Sequence, residues 1–202
     1  MQVHAEDWNL LAKKAIVSIT PEESDAVSEW SGPPEGSDII SFPCQAGGQN
    51  NVDFNKAING DCVVVHDEVN CNTPYGFFRH VGLFDIGNYN SGDAPVWSSW
   101  TDGVWVHTIK EVHEYDLAVI LRVDTANETR TAAVNYARQQ ARKPYNYNWL
   151  DKYRQDKFYC SQLVWASYYW TANIDLDSNG GLAVSPDNLF WDNNAYSVAI
   201  GF

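Results

Sequence analysis

Cys160 stands where a loop turns into a helix. Before it the chain is charged, with Asp151, Lys152, Arg154, Asp156 and Lys157; after it an apolar-periodic run through Leu163-Val164-Trp165 continues to about Thr171. This places a thiol in the first helical turn, where main-chain N–H groups lack partners and the positive end of the helix dipole favours the thiolate. The thiolate is the nucleophilic form of cysteine, so attack on a carbonyl is the chemistry to consider. Without a base nearby, such a cysteine is an inert buried side chain.

His80 is the candidate base. It sits in Phe77-Phe78-Arg79-His80-Val81-Gly82-Leu83-Phe84-Asp85, a run that is apolar apart from Arg79 and His80 and reads as a strand. The structural alternative is a core histidine satisfied by a carbonyl. A cysteine at a helix start and a histidine on the adjacent sheet would form the thiolate–imidazolium geometry of papain-like hydrolases. The ring takes the thiol proton and returns it to the leaving group. The other histidines fit less well: His4 lies in a tail, His66 at a strand end, and His107 and His113 near a polar helix or loop.

The elements that must position the pair follow from periodicity. Helices are expected over about residues 7–17 and from Thr20-Pro21-Glu22-Glu23, a capping box with proline at the first helical position, to Trp30. From there to about Asn59 the text is rich in Gly, Pro, Ser and Asn and reads as an irregular extension wrapped on the core. Strands are expected at Cys62–Val65, Phe77–Asp85, Val96-Trp97, Val104–Val106 and Leu117–Val123, with Thr101-Asp102-Gly103 as a tight turn. A helix follows from about Glu128 to Ala141, with Thr131, Val134, Ala137 and Ala141 inward. After the Cys160 helix, Pro186 opens a short helical turn, and Tyr196–Ile200 reads as a closing strand. The whole is α+β, an antiparallel sheet packed against helices.

Composition narrows the function. The 202 residues suit one domain, residues 60–202, with residues 1–59 as its N-terminal extension. A formal charge of −13 argues against nucleic acid and anionic membrane surfaces as partners. No run approaches the roughly 18–20 consecutive apolar residues of a spanning helix, so no stable membrane insertion is expected. Val3-His4-Ala5 before Glu6-Asp7 has the small-x-small pattern that ends a secretory leader, which points outside the cytoplasm.

If Cys160 is kept free, Cys44, Cys62 and Cys71 cannot all pair. One bridge among them, or three reduced thiols, both fit the spacing, and the paired C-x-x-C clusters of a zinc cage are missing. Asp175-Leu176-Asp177-Ser178-Asn179-Gly180 repeats the first half of a calcium loop but lacks its twelfth-position Glu: Pro186 stands there and Asp187 comes one later. A solvated turn is the preferred reading, and neither a metal nor a cofactor is expected. Asn127-Glu128-Thr129 is a glycosylation sequon whose Asn also suits a helix N-cap. Trp97, Trp100 and Trp105 can line a groove or pack on the sheet.

Three motifs in order, Gly60-Asp61-Cys62-Val63-Val64-Val65, Arg79-His80-Val81-Gly82-Leu83-Phe84 and Tyr159-Cys160-Ser161-Gln162-Leu163-Val164-Trp165, resemble the permuted papain-like amidases, the YiiX-like branch of the NlpC superfamily. There, as in the lecithin:retinol acyltransferase group, the histidine strand precedes the cysteine helix. The resemblance covers about Gly60 to Leu189. It implies a circularly permuted papain-like sheet or half-barrel, Cys160 as nucleophile, His80 as base and acid, an oxyanion hole formed partly by the N–H groups of the Cys160 turn, and a kept tyrosine matched by Tyr145. The family often places Glu or His on the strand after the histidine strand. Here that place falls near Val96–Ser99, and Ser98 is the polar side chain available. The implied activity is hydrolysis of an amide through an acyl-cysteine, with a cell-wall peptide as substrate. Transfer or hydrolysis of a lipid-linked acyl group, or non-catalytic binding of a glycan or peptide, are the alternatives.

Overall fold

Val63, Val64 and Val65 form the centre of the sheet because β-branched side chains suit a strand buried on both faces. The structure, a computed structural model, describes residues 50–66, 77–87 and 95–202. The helices expected over 7–17 and from 20 to 30, the extension up to residue 49, Cys44 and Cys71 lie outside these residues. Six strands are described: β1 (Cys62–His66), β2 (His80–Phe84), β3 (Pro95–Trp100), β4 (Gly103–Thr108), β5 (Leu117–Val123) and β6 (Ala195–Gly201). They form one sheet in the order β4-β3-β2-β1-β5-β6, antiparallel throughout. Among the described residues the helices are α1 (Ile109–His113), α2 (Asn127–Gln139), α3 (Cys160–Ala172) and α4 (Pro186–Trp191).

The two faces of the sheet carry separate cores. Val64, Val81, Leu83, Val119 and Leu121 pack against α2 and α3 through Ala133, Val134, Ala137, Leu163 and Val164. Val63, Val65, Phe84, Val96 and Ile120 pack against Ile109 and Val112 of α1 and against Val52 and Phe54. Helices on one side and a short helix with a wrapped segment on the other give the α+β papain-like arrangement expected. The single-turn helix α1 lies in the stretch read as a polar helix or loop around His113. Its capping box, in which Glu111 Oε2 accepts the Thr108 N–H at 3.0 Å, starts it directly from the end of β4.

Several boundaries move for identifiable reasons. β2 begins at His80 rather than Phe77, because the Phe77 and Phe78 N–H groups donate to the Asp187 carboxylate, at 2.8 and 3.0 Å, instead of to a strand. In α2 the N-cap is Ala126, and Asn127 is the first helical residue, its Oδ1 accepting from Arg130 at 2.5 Å. Thr131 is exposed. The buried place one residue earlier goes to Arg130, whose guanidinium also donates to the carbonyls of Val123 and Thr125.

The β3–β4 hairpin is pinned to the segment that leads toward Cys160. Val104 N–H donates to Lys143 O and Arg142 N–H to Val104 O, both at 2.8 Å. Gly103 turns this corner with φ +101°, and a Cβ there would meet Lys143 O at 2.4 Å. Gly103→Ala therefore incurs both backbone strain and a main-chain clash. It is expected to lower the unfolding free energy by about 1–3 kcal/mol, read from urea denaturation midpoints at unchanged m.

Candidate active site

Cys160 is the first residue of α3, and the turn that carries it is held by Gln162. Gln162 is completely buried; its Oε1 accepts the Tyr159 N–H at 3.2 Å and the Asn146 amide at 3.0 Å. Its Nε2 donates to the carbonyls of Lys152 and Arg154, at 3.1 and 2.8 Å. One side chain thus ties the loop of residues 146–154 to the helix start. The signal for it was present: a glutamine three residues after the N-cap is a capping-box partner. Tyr145 pairs beside Phe158 in an isolated bridge, two residues before the thiol.

The thiol enters the sheet where β2 and β3 part. Asp85 N–H donates to Pro95 O at 2.9 Å, and the ladder continues only to the Leu83–Trp97 pair. Antiparallel pairing repeats every second residue, so the Val81 N–H and C=O also point toward β3, where the partner would be Ser99. Ser99 is turned away, its Oγ donating to Phe158 O at 2.6 Å. The vacated bonds are filled by the site. Val81 N–H donates to the Cys160 sulfur, and Ser98 Oγ donates to Val81 O at 2.8 Å.

His80 adjoins this notch. Its Nε2 lies 2.7 Å from Ser98 Oγ, and its ring stacks on Trp100 at 4.1 Å between centroids. Strand alternation sends the ring to the α1 side of the sheet with Val63, Val65 and Gly82, whereas the body of α3 covers the other side. Cys160 meets β2 at Val81. Among the described residues no hydrogen bond joins the thiol to the imidazole; the sulfur is held by the main chain one residue beyond His80.

The hydroxyl of Ser98 fixes the state of the ring. A hydroxyl has one proton to give, and a carbonyl can only accept, so the Ser98 proton goes to Val81 O. Ser98 Oγ then accepts from His80 Nε2–H, which leaves Nδ1 as the unprotonated nitrogen. Nδ1 is also the ring nitrogen nearer the main chain. Burial, with a smaller contribution from His107, pushes the His80 pKa down to about 3. Burial likewise pushes the Cys160 thiol up, against the N–H donors of Val81 and Ser161. The resting pair is therefore a neutral thiol and a neutral imidazole, not the thiolate that the helix terminus alone would favour.

The remaining candidates are resolved outside this centre. Asp177 is buried and ion-paired to the equally buried Lys152, whose ammonium lies 5.2 Å from the Trp165 ring. Burial raises the Asp177 pKa, and Lys152 opposes it. Asp175 Oδ1 accepts from Trp165 Nε1 at 2.8 Å, and Asn179 Oδ1 from Gly181 N–H at 3.0 Å. The calcium-like stretch is thus a turn closed on an internal cation, and its central carboxylate is buried rather than solvated. Cys62 is a free thiol in the core, 1% exposed, so it is not bridged. Trp97 packs on the sheet and donates to Asp85 at 3.0 Å; Trp105 is exposed with the Arg142 guanidinium 5.5 Å from its ring.

A histidine strand followed in the chain by a helix with a cysteine at its first turn, both on one antiparallel sheet, defines the permuted papain-like class of cysteine hydrolases. The chain belongs to the family described as "Permuted papain-like amidase enzyme, YaeF/YiiX, C92 family", whose model matches residues 59–183. Amide hydrolysis by a cysteine-type enzyme is the activity that family carries. The chain is 29% identical over 134 residues to the "Uncharacterized protein YycO" of Bacillus subtilis (strain 168), a match over 65% of this chain and 52% of that protein. The chain spans about half the length of this curated relative. The fold is similar to the crystal structure of "metalloprotein yiiX" from Escherichia coli O157:H7, with TM-score 0.56 and 16% identity over 71% of this chain and 97% of that one.

Two outcomes follow from the geometry. Lys152→Met leaves the Asp177 carboxylate buried without its counter-charge and is expected to cost about 3–5 kcal/mol in chemical denaturation, most of it regained in the Lys152→Met, Asp177→Leu double variant. The His80 shift gives a stability slope. Its pKa is the usual 6.5 in the unfolded chain and about 3 in the folded one, so unfolding takes up a proton between those values. The contribution is complete above pH 6.5 and drains away as pH falls toward 3, and His80→Gln should flatten that part of the stability–pH curve.

Proposed function

We propose that the chain hydrolyses an amide bond through an acyl-Cys160 intermediate, with His80 as base and acid and Ser98 as the residue that orients it. The tautomer carries the reading: Ser98 accepts Nε2–H, which leaves Nδ1 without a proton and able to accept one. Nδ1 takes the thiol proton as the sulfur attacks the carbonyl carbon, and the Ser98 oxygen keeps hold of Nε2–H while the ring is charged. The oxyanion that forms is met by main-chain N–H groups of the first turn of α3, which have no intrahelical partners. The imidazolium then gives its proton to the leaving nitrogen, and the amine departs. Water attacks the thioester, loses a proton to Nδ1, and the sulfur leaves and is reprotonated.

A neutral resting pair suits this sequence, because proton transfer is then driven by formation of the carbon–sulfur bond. Residues 60–202 carry the reaction in this reading and residues 1–59 extend it. A cell-wall peptide outside the cytoplasm is the proposed substrate, supported by the family's amidase chemistry, by its bacterial relatives and by the leader-like Val3-His4-Ala5. The fold relative described as a metalloprotein raises the question of a metal here. Among the described residues no three His, Cys, Asp or Glu side chains converge to hold one, and no step is routed through a metal.

Iodoacetamide labelling between pH 6 and 8, followed by peptide mass spectrometry, tests the pair directly. Cys160 should alkylate readily in the wild type, and His80→Ala should slow that alkylation severalfold at unchanged melting temperature. Ser98→Ala loses a hydrogen bond to a ring that becomes charged, about 1.5–3 kcal/mol, and should slow turnover of a cell-wall peptide about ten- to a hundredfold. Equal, slow labelling in the wild type and the His80 variant would instead favour a binding domain on the same scaffold. Accumulation of an acyl-enzyme only with a lipid-linked acyl group would move the substrate class.

A further inference from the structure

Asp187 is a charged residue with no part in the chemistry above, yet it is 1% exposed and both of its oxygens are occupied. Oδ2 accepts the Phe77 N–H at 2.8 Å and Oδ1 the Phe78 N–H at 3.0 Å, across more than a hundred residues of chain. These are the main-chain donors three and two residues before His80. The next, Arg79 N–H, donates to Val65 O at 2.8 Å, and from His80 the regular pairing with β1 takes over. Phe78 also meets Phe190 of α4, with centroids 5.0 Å apart, so one short helix grips this lead-in with a carboxylate and a ring.

We infer that Asp187 is a positioning residue for His80: by accepting both N–H groups it fixes the path of the chain into β2 and so the place of the imidazole beside the notch. The inference rests on the proposed reaction, because it assigns Asp187 a role through His80. A structural reason favours a carboxylate over any other side chain. A carboxylate offers a separate oxygen to each of two adjacent main-chain donors and carries no N–H of its own, whereas an amide must crowd both donors onto its one oxygen and turn its NH₂ toward them. Ionisation matters for the same cause. Burial holds the Asp187 pKa up at about 7, against the Phe78 and Phe77 N–H groups and the nearby charge of Arg79. The calcium-like pattern had left Asp187 one place beyond the expected ligand. In the fold it serves a segment more than a hundred residues earlier in the chain instead.

The test uses the full chain and the rate of Cys160 alkylation by iodoacetamide at pH 8, with melting temperature as the parallel readout. Asp187→Asn should slow alkylation about 10- to 100-fold by displacing the ring, and Asp187→Ala should slow it at least as much. Leu189→Ala, on the same helix and equally buried, weakens α4 without touching the carboxylate; it should lower the melting temperature and leave the alkylation rate near the wild-type value. Unchanged alkylation in Asp187→Asn, or equal slowing in Leu189→Ala, overturns the assignment. If neither Asp187 variant folds, NMR of the wild type decides: the Phe77 and Phe78 amide protons and the His80 ring signals should each shift with the titration of the Asp187 carboxyl, and a His80 ring indifferent to that step overturns the assignment. A wild type whose labelling is indifferent to His80→Ala would sink the proposed reaction, while the NMR titration still judges the clamp.

Discussion

The N–H and C=O of Val81 are the point where sheet and site become one structure. A strand that parts from its neighbour leaves such groups without partners, and buried main-chain groups are seldom left so. Here β3 withdraws after Trp97, and the two bonds are completed by a thiol and a hydroxyl. The sulfur is thereby located by main-chain accounting, with no need for a strong bond to the imidazole. The same hydroxyl that closes the carbonyl decides which ring nitrogen carries the proton. Position and protonation state come from one local defect in the sheet.

Magnitudes explain why the resting state is neutral. A helix terminus stabilises a charge by about 0.3–1 kcal/mol, or up to about 2 in partly buried geometry, whereas burial can move a pKa by several units. The second effect wins for Cys160. It wins also for His80, which is enclosed by Trp100, the sheet and the α1 side of the core. In the proposed reaction, charge then appears only once a substrate has supplied an electrophile. Ser98 fits such a design less strongly than a carboxylate, since it can hold the imidazolium but not neutralise it.

The strands and the two long helices were legible because their signals are local: β-branched runs for β1 and β5, the Asp-Gly turn between β3 and β4, and an apolar helix behind a charged loop for α3. Cys160, His80 and Ser98 stand out by residue type and by the order of three motifs, and the fold brings Ser98 to His80. What sequence could not supply were bonds between distant segments. The start of β2 depends on Asp187, the calcium-like turn depends on Lys152 some 25 positions earlier, and the burial of Arg130 in place of Thr131 depends on the carbonyls at the end of β5. Each is a polar group whose partner is fixed by topology, and periodicity carries no information about topology. The expectation of a thiolate failed for a related reason: the depth of the notch is a property of the assembled sheet.

The protonated resting thiol also bears on how the protein ages. Peroxide attacks the thiolate, and oxidation climbs from sulfenic to irreversible sulfinic and sulfonic acids. A sulfur kept as SH between turnovers offers little of the susceptible form, and Cys62 is sealed in the core with its own pKa raised by burial. In the proposed reaction the fold thus shelters Cys160 from oxidants while idle and exposes it to damage chiefly when the ring draws the proton away.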